Sequence, residues 1–393
     1  MKTPLTNEHG IALVITLLVV ALLTITVIEF TYSVEVDQHM AHNALNSLQA
    51  SLLARSGVNL GEAVLLHDDD PTVDSYLEDW GQLDQLNSQL VVPDNMRLRV
   101  QVIDEGGKLN INMTRARNAN EWITARKNAN GPHPFLFQSW LQALAGLLGS
   151  GGVDAEAAEG VSEYWDNIFT MSLGQNPGPL PPGQPSGTPT PVTPTNSAPD
   201  PRLFLVDFPS LDDASVIPGF TPAALRKLRP VLTALDSNRQ PQVNANTAPQ
   251  AVLMAIVGDP ETVGNIMSRR QEAPLKINDL QQLLGALNTQ NNPNALNVRR
   301  MLGVRSSYFL IRASAVINPN PTTGKGGIAR SASMLVRREP RVGVPGQGAN
   351  TATRWTLTQL DWQKEGGAAL LQQTGNQEPG MEDVPPPGFG AGG

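Results

Sequence analysis

Four aspartates, Asp68, Asp69, Asp70 and Asp74, crowd one short stretch of the 393-residue chain. Carboxylate oxygens converging in a loop suit a hard cation, so calcium is the metal they point to, as an option and not a requirement: the spacing is not that of an EF-hand. Other chemistries are poorly served. Of five histidines, His9, His39, His42 and His67 lie near the start and His133 stands between two prolines. His39 and His42 are three apart on one helix face, but no third ligand is near them in sequence. There is no cysteine, which excludes disulfides, thiolate metal sites and a thiol nucleophile. No Gly-x-Ser-x-Gly elbow or phosphate loop occurs, since Gly324-Lys325 lacks both the spacing and the following Ser or Thr. An enzyme is therefore not expected, and a formal charge of -8 argues against wholesale binding of polyanions.

The elements that must carry these residues begin with an apolar run. Ile11 to Ile28 holds no charged residue and is bounded by Glu8 and Glu29. As a helix it would span roughly 27 Å, enough for a bilayer core, with Thr16, Thr24 and Thr26 bonding back to their own helix. Only Lys2 and the α-amine are positive before it, and a short polar leader is easier to leave in the cytoplasm than a folded domain. The rest of the chain is expected outside. A cleaved secretory signal would need small residues after the apolar run, where the sequence instead reads Glu29-Phe30-Thr31-Tyr32. Beyond that point Phe30, Val34, Ala41, Leu45, Leu48 and Leu52 keep helical spacing, so one long helix is predicted to about Leu66.

A polar leader ending in Gly10, an abrupt run beginning Ile11-Ala12-Leu13-Val14 and an amphipathic continuation resemble a type IV prepilin or type II secretion pseudopilin. The resemblance implies that a prepilin peptidase cuts between Gly10 and Ile11 and methylates the new amino terminus. It also exposes a departure. Most members carry Glu at the fifth mature position, and here that position is Ile15. An unpaired carboxylate in lipid is costly, so a subunit with nothing above it is better without one.

Four strands are predicted, Arg97 to Asp104, Tyr308 to Ile317, Ile328 to Arg338 and Thr353 to Gln363, with a turn at Gly324 to Gly327. The long gap after the first strand reads as helices broken by Gly and Pro, an insertion into an α+β fold. The chain is similar in this order to the K-type minor pseudopilin family, GspK. Asp104 to Met113 (DEGGKLNINM), Glu163-Tyr164-Trp165-Asp166, Leu211 to Leu235 and Val243 to Ala248 (VNANTA) match its successive segments. Tyr164 departs from the family's acidic residue before the Trp.

The implied fold is type IV pilin-like α+β, a long N-terminal transmembrane helix packed on an antiparallel sheet, with a large inserted all-α domain. Residues 1–10 are the leader, 11–66 the helix (span 11–28, stalk 29–66) and 67–112 the first part of the pilin-like domain. The insertion is 113–303, with a Pro-rich loop at 177–201 where ten of 25 residues are proline; 304–364 return to the sheet and 365–393 form a disordered tail. The resemblance implies a single-pass protein of the Gram-negative inner membrane with a periplasmic head. Its partners would be the minor pseudopilins GspI, GspJ and GspH, the pseudopilus, the peptidase, the inner-membrane assembly platform, and secreted substrates or the secretin. Bulk above the pilin fold would make it a tip subunit that helps prime assembly.

A rival reading starts from Val243 to Gly285, which resembles a helix-hairpin-helix unit such as DNA-uptake and pilus-associated proteins carry. Its hairpin is Val257-Gly258-Asp259-Pro260. Aspartate sets a like charge against phosphate and proline removes an amide donor, so nucleic acid is not the expected partner. Asn244, Asn246, Thr247 and Pro249 are expected to cap a turn and start a helix, and Gly258 to stop it.

Overall fold

The computed structural model describes residues 8–68, 70, 72–83, 92–114, 164, 207–236, 238, 242–287, 295–318, 327–340 and 355–365. Expectations for residues 1–7, Asp69, His133, Trp165, Asp166, the loop 177–201, Gly324 to Gly326 and the tail 366–393 lie outside the described residues.

Helix α1 (Glu8–Leu66) runs unbroken for 59 residues. No Pro interrupts it, and from Ile11 to Leu45 every residue is exposed. Hydroxyls of Thr16, Thr24 and Thr26 donate to the carbonyls of Leu13, Val20 and Leu22 at 2.9, 2.8 and 2.9 Å, which hides their polarity within the apolar run. The helix is long and apolar enough to cross a membrane. Above it one face becomes buried: Asn46, Ala50, Ala54, Val58 and Leu65, with Gly57 and Gly61. That spacing of three and four is the helical period, and the small residues on it let a backbone approach closely.

The partner of that face is a sheet whose strands are far apart in sequence. Strand β1 (Met96–Asp104) comes first, and the next long strand is about 200 residues on. Between them lie β2 (Leu109–Asn110), α2 (Pro222–Leu228), β3 (Leu232–Thr233), β4 (Val243–Asn244), α3 (Gln250–Val257), α4 (Pro260–Glu272), α5 (Ile277–Gly285), α6 (Ala295–Met301) and β5 (Leu302–Gly303). The chain then returns as β6 (Tyr308–Ile317), β7 (Ile328–Pro340) and β8 (Trp355–Glu365). The sheet is antiparallel in the order β1-β6-β7-β8. Asp104 pairs with Phe309, so the chain leaves and rejoins the sheet at adjacent positions, and everything between can fold as a separate body without disturbing the ladder.

Two cores result. Ala54, Val58, Leu65, Trp80, Val100, Val102, Phe309, Ile311, Met334 and Val336 fill the space between α1 and the sheet. A larger cluster built on Leu228, Val252, Leu253, Ile256, Ile266 and Leu280 fills the helical body, and Leu109, Ile111, Leu302 and Val304 join it from the seam. Gly258 ends α3 with φ +71, a left-handed conformation that glycine adopts without strain, as the sequence predicts. The two two-residue ladders, β2 with β3 and β4 with β5, are parallel and tie the seam segments to the helices.

Helix α1 sits so close to the sheet that a Cβ built on Gly61 would lie 2.5 Å from Ile311 Cγ2, and one on Gly57 would lie 2.8 Å from Ala313 Cβ. Gly264 in α4, by contrast, has nothing within 4 Å of its Cβ direction. Gly61→Val is expected to lower unfolding free energy by about 2 kcal/mol or more through overpacking, whereas Gly264→Ala is neutral or stabilising by up to about 1 kcal/mol. Urea denaturation of the two variants in detergent measures both.

Candidate functional site

The seam between sheet and helical body is organised by one carboxylate. Asp104, the last residue of β1, is buried. Its Oδ1 accepts from Gly106 N at 2.7 Å, and its Oδ2 accepts from Asn244 Nδ2 at 3.0 Å, Thr247 Oγ1 at 2.5 Å and Ser306 Oγ at 2.6 Å. Burial pushes this carboxyl up, and the bonds from Ser306, Thr247, Gly106 and Asn244 pull it back. Three parts of the chain thus meet on one side chain: the departing strand, the VNANTA segment and the returning segment. Gly107 is required there, because a Cβ would lie 2.5 Å from Thr247 Oγ1.

The asparagines do more than cap. Asn244 Nδ2 also donates to Asp74 O and Ser306 Oγ, at 2.9 and 3.0 Å, while Asn246 exchanges two bonds with the backbone of Leu275 at 3.0 and 2.8 Å. Asn110 and Asn112 act alike, bonding the backbones of Leu235 and Phe208. Each amide sets an N–H donor beside a carbonyl acceptor, as a strand edge does, so these side chains continue strand-like pairing where no strand continues. Helix α3 itself starts at Pro249 without a side-chain cap. Arg270 Nη1 donates to Ala245 O and Ala248 O at 2.9 and 2.6 Å, and burial lowers this guanidinium to about 10.

Of the described aspartates in the acidic loop after α1, Asp68 and Asp74 are drawn together. Asp68 and Asp74 both receive the guanidinium of Arg338, at 2.5 Å from Nη1 to Asp68 and through Nη2 to Asp74. Asp74 also accepts from Ser306 N at 2.7 Å, which joins this knot to the seam. Arg338 stands 4.7 Å from the Phe309 ring centroid, and Phe309 packs edge-on against Trp80 at 5.2 Å. Glu78 completes the group: its oxygen lies within 4.8 Å of those of Asp68 and Asp74. Burial, and then the charge of Asp68, pushes Glu78 up to about 8, while its Oε2 accepts from Trp80 Nε1 at 2.5 Å. Asp70 instead turns to Thr72, which donates from its N–H and hydroxyl and lowers the Asp70 carboxyl. Glu78 and Arg338 were not among the residues singled out from sequence. The signal for Arg338 was present, because period two from Ala332, Met334 and Val336 places it on the core-facing side of β7.

Gly10, Ile11, Ile15 and Ile28 all lie on α1, and because the helix begins at Glu8 the Gly10-Ile11 bond falls in its first turn. A protease that takes an extended peptide must unwind that turn. Ile15 is 56% exposed, on the apolar run and far from the folded head. At the hairpin, Asp259 caps α4, accepting from Thr262 N at 2.9 Å and from the Thr262 hydroxyl, which hold it below the usual carboxylate range. Its carboxylate takes up donors that a phosphate would need.

No family model and no curated protein matches this chain. Among solved structures, it aligns with a chain from the crystal structure of the GspK-GspI-GspJ complex from the enterotoxigenic Escherichia coli type 2 secretion system. The TM-score is 0.52 at 18% sequence identity, and the alignment covers 83% of this chain and 99% of that chain. The chain has the pilin-like fold of a subunit of that complex. The α+β architecture expected from sequence, a long apolar helix packed on an antiparallel sheet, is what this fold contains.

Removing the Asp104 carboxylate takes the acceptor from the buried donors of Gly106, Thr247 and Ser306, and leaves Asn244 Nδ2 only Asp74 O and Ser306 Oγ. Asp104→Ala is expected to cost about 3 kcal/mol or more, and Asp104→Asn, which retains one acceptor oxygen, less. Urea unfolding followed separately by tryptophan fluorescence and far-UV circular dichroism tests this; equal stabilities for wild type and Asp104→Ala would contradict the role given to the seam.

Proposed function

We propose that this chain is a minor pseudopilin of the K type in a type II secretion system, a bitopic inner-membrane protein whose Ile11–Ile28 helix joins a pseudopilus while its periplasmic head caps the tip. The observation that carries the reading is the alignment over 99% of a chain from the GspK-GspI-GspJ assembly. The prepilin-like leader and the exposed apolar helix support it. The role is structural: the helical body tied to the sheet at Asp104 adds bulk that a subunit stacked above would meet, and Ile15 brings no buried carboxylate that would need a neighbour's amine. GspI- and GspJ-type subunits are its partners below, and such a tip helps prime assembly and faces secreted substrates or the secretin. The alternative, a pilus or DNA-uptake subunit using the α3-α4 hairpin, is disfavoured by the Asp259 carboxylate at its turn.

The intact mass of the protein from cells with and without the prepilin peptidase tests processing. Loss of ten residues, roughly 1.1 kDa, with one methyl added at Ile11 is expected only with the peptidase. Co-purification with GspI- and GspJ-type subunits from the processed strain tests assembly. An unchanged mass in both strains would overturn the pseudopilin reading.

Calcium remains a proposal at the acidic loop. Asp68, Asp74 and Glu78 offer an all-oxygen donor set, and a bound ion would share Asp68 and Asp74 with Arg338. Chelation is expected to lower the midpoint of thermal unfolding and added calcium to restore it; a midpoint indifferent to both would remove the site.

A further inference from the structure

Strand alternation gives the four-stranded sheet a second face, turned away from α1. Val100, Val102, Ile311, Ala313 and Met334 pack toward the helix, while Arg97, Arg99 and Gln101 of β1 point the other way and are exposed. Register sets Arg97 opposite Val316, Arg99 opposite Ser314 and Gln101 opposite Arg312. Ser314 and Ser331 share a hydroxyl hydrogen bond of 3.2 Å, and Ser333 stands opposite Arg312 on β7. Three guanidinium groups thus gather on one corner of a chain whose formal charge is -8. Arg312 is half-buried, and its Nε is buried with no hydrogen-bond partner. An unmet donor of a charged group is costly, and an acceptor arriving from outside removes that cost. The acidic residues of this face stand elsewhere. Glu339 pairs with Arg337 at 3.2 Å, and Asp361 and Glu365 hold register positions on β8 opposite Leu335 and Ser331, about 10 Å from β6 at the spacing of neighbouring strands.

We propose that this corner of the sheet binds an extended acidic segment of another protein, whose carboxylates at alternate positions meet Arg97 and Arg99 while a further acceptor meets Arg312. Alternate residues of a strand are about 7 Å apart, so the arginines of β1 and the side chains on one face of a peptide laid along it share one repeat. Each guanidinium presents a planar fork of donors that a carboxylate accepts in two bonds, and the Gln101 amide beside them offers both a donor and an acceptor. Carboxylate chemistry is favoured over a lipid phosphate by height. About 40 Å of helix separates Ile28 from Gly57, which lies against Leu98 and Val100 in the same strand as the arginines. The face is on the side of the sheet that α1 does not use, so the proposal holds whether or not the chain is processed and bundled through that helix.

Fluorescence anisotropy of labelled peptides titrated with the full chain in nonionic detergent tests this. One probe alternates Glu and Ser over eight residues; the other has the same composition with the Glu residues in one block. The alternating peptide is expected to bind about tenfold tighter than the block peptide. Arg97→Gln with Arg99→Gln, and separately Arg312→Gln, are expected to weaken it about tenfold, and the exposed pair should leave the urea unfolding midpoint unchanged. Arg226→Gln with Lys227→Gln, an equal loss of charge at exposed positions on α2, is expected to leave binding within about twofold. Equal affinity for the two peptides, or an equal loss in the α2 variant, would overturn the proposal. A tenfold gain on ending the chain at Glu365 would overturn it in favour of residues 366–393 as the occupant. Self-association abolished by Arg97→Gln with Arg99→Gln would overturn it in favour of a second copy.

Discussion

A buried carboxylate is tolerated only where donors replace the water it gives up, and the head of this protein is arranged around one such replacement. Asp104 ends the first strand and collects a backbone N–H, an amide and two hydroxyls. In a low-dielectric interior each of those bonds is strong, and an unmet donor there costs more than a satisfied one contributes. The amide and the two hydroxyls come from Asn244, Thr247 and Ser306, at least 140 residues from Asp104 in sequence. The carboxylate therefore fixes the pose of the helical body on the sheet, which an apolar contact alone would leave free to slide.

The acidic knot extends the same seam to the C-terminal end of α1. Arg338 holds Asp68 and Asp74 at the end of α1, and Asp74 in turn grips Ser306 beside Asp104. Helix, sheet and helical body are connected through a continuous polar path, flanked by the Tyr76, Trp80 and Phe309 rings. Below the knot, Gly57 and Gly61 bring α1 against the sheet, the buried face continues down to Asn46, and from Leu45 to Ile11 the helix stands alone. One helix thus carries an apolar run long enough to cross a membrane and, above it, a face of small residues packed on a sheet.

Much of this was legible in the chain. The apolar run, the four strands and the left-handed stop at Gly258 follow from periodicity and glycine chemistry, which act over a few residues. The two Asn-rich segments, DEGGKLNINM and VNANTA, stood out as motifs, but their meaning did not, because Gly107 makes sense only once Thr247 is seen lying against it. The candidate cation loop was legible only in part. Among the described residues Asp68 and Asp74 come together as their closeness in sequence suggests, but Asp70 turns to Thr72, Glu78 enters from the next segment and the positive partner, Arg338, comes from 270 residues away.

The sequence by itself determined which segments are helix, strand or lipid-soluble, because those outcomes depend on neighbours along the chain. Tertiary structure alone decided which polar groups pair and which face of the long helix stays open. Those outcomes depend on desolvation, and whether water is excluded from a carboxylate or a leucine is settled only when distant segments close over it.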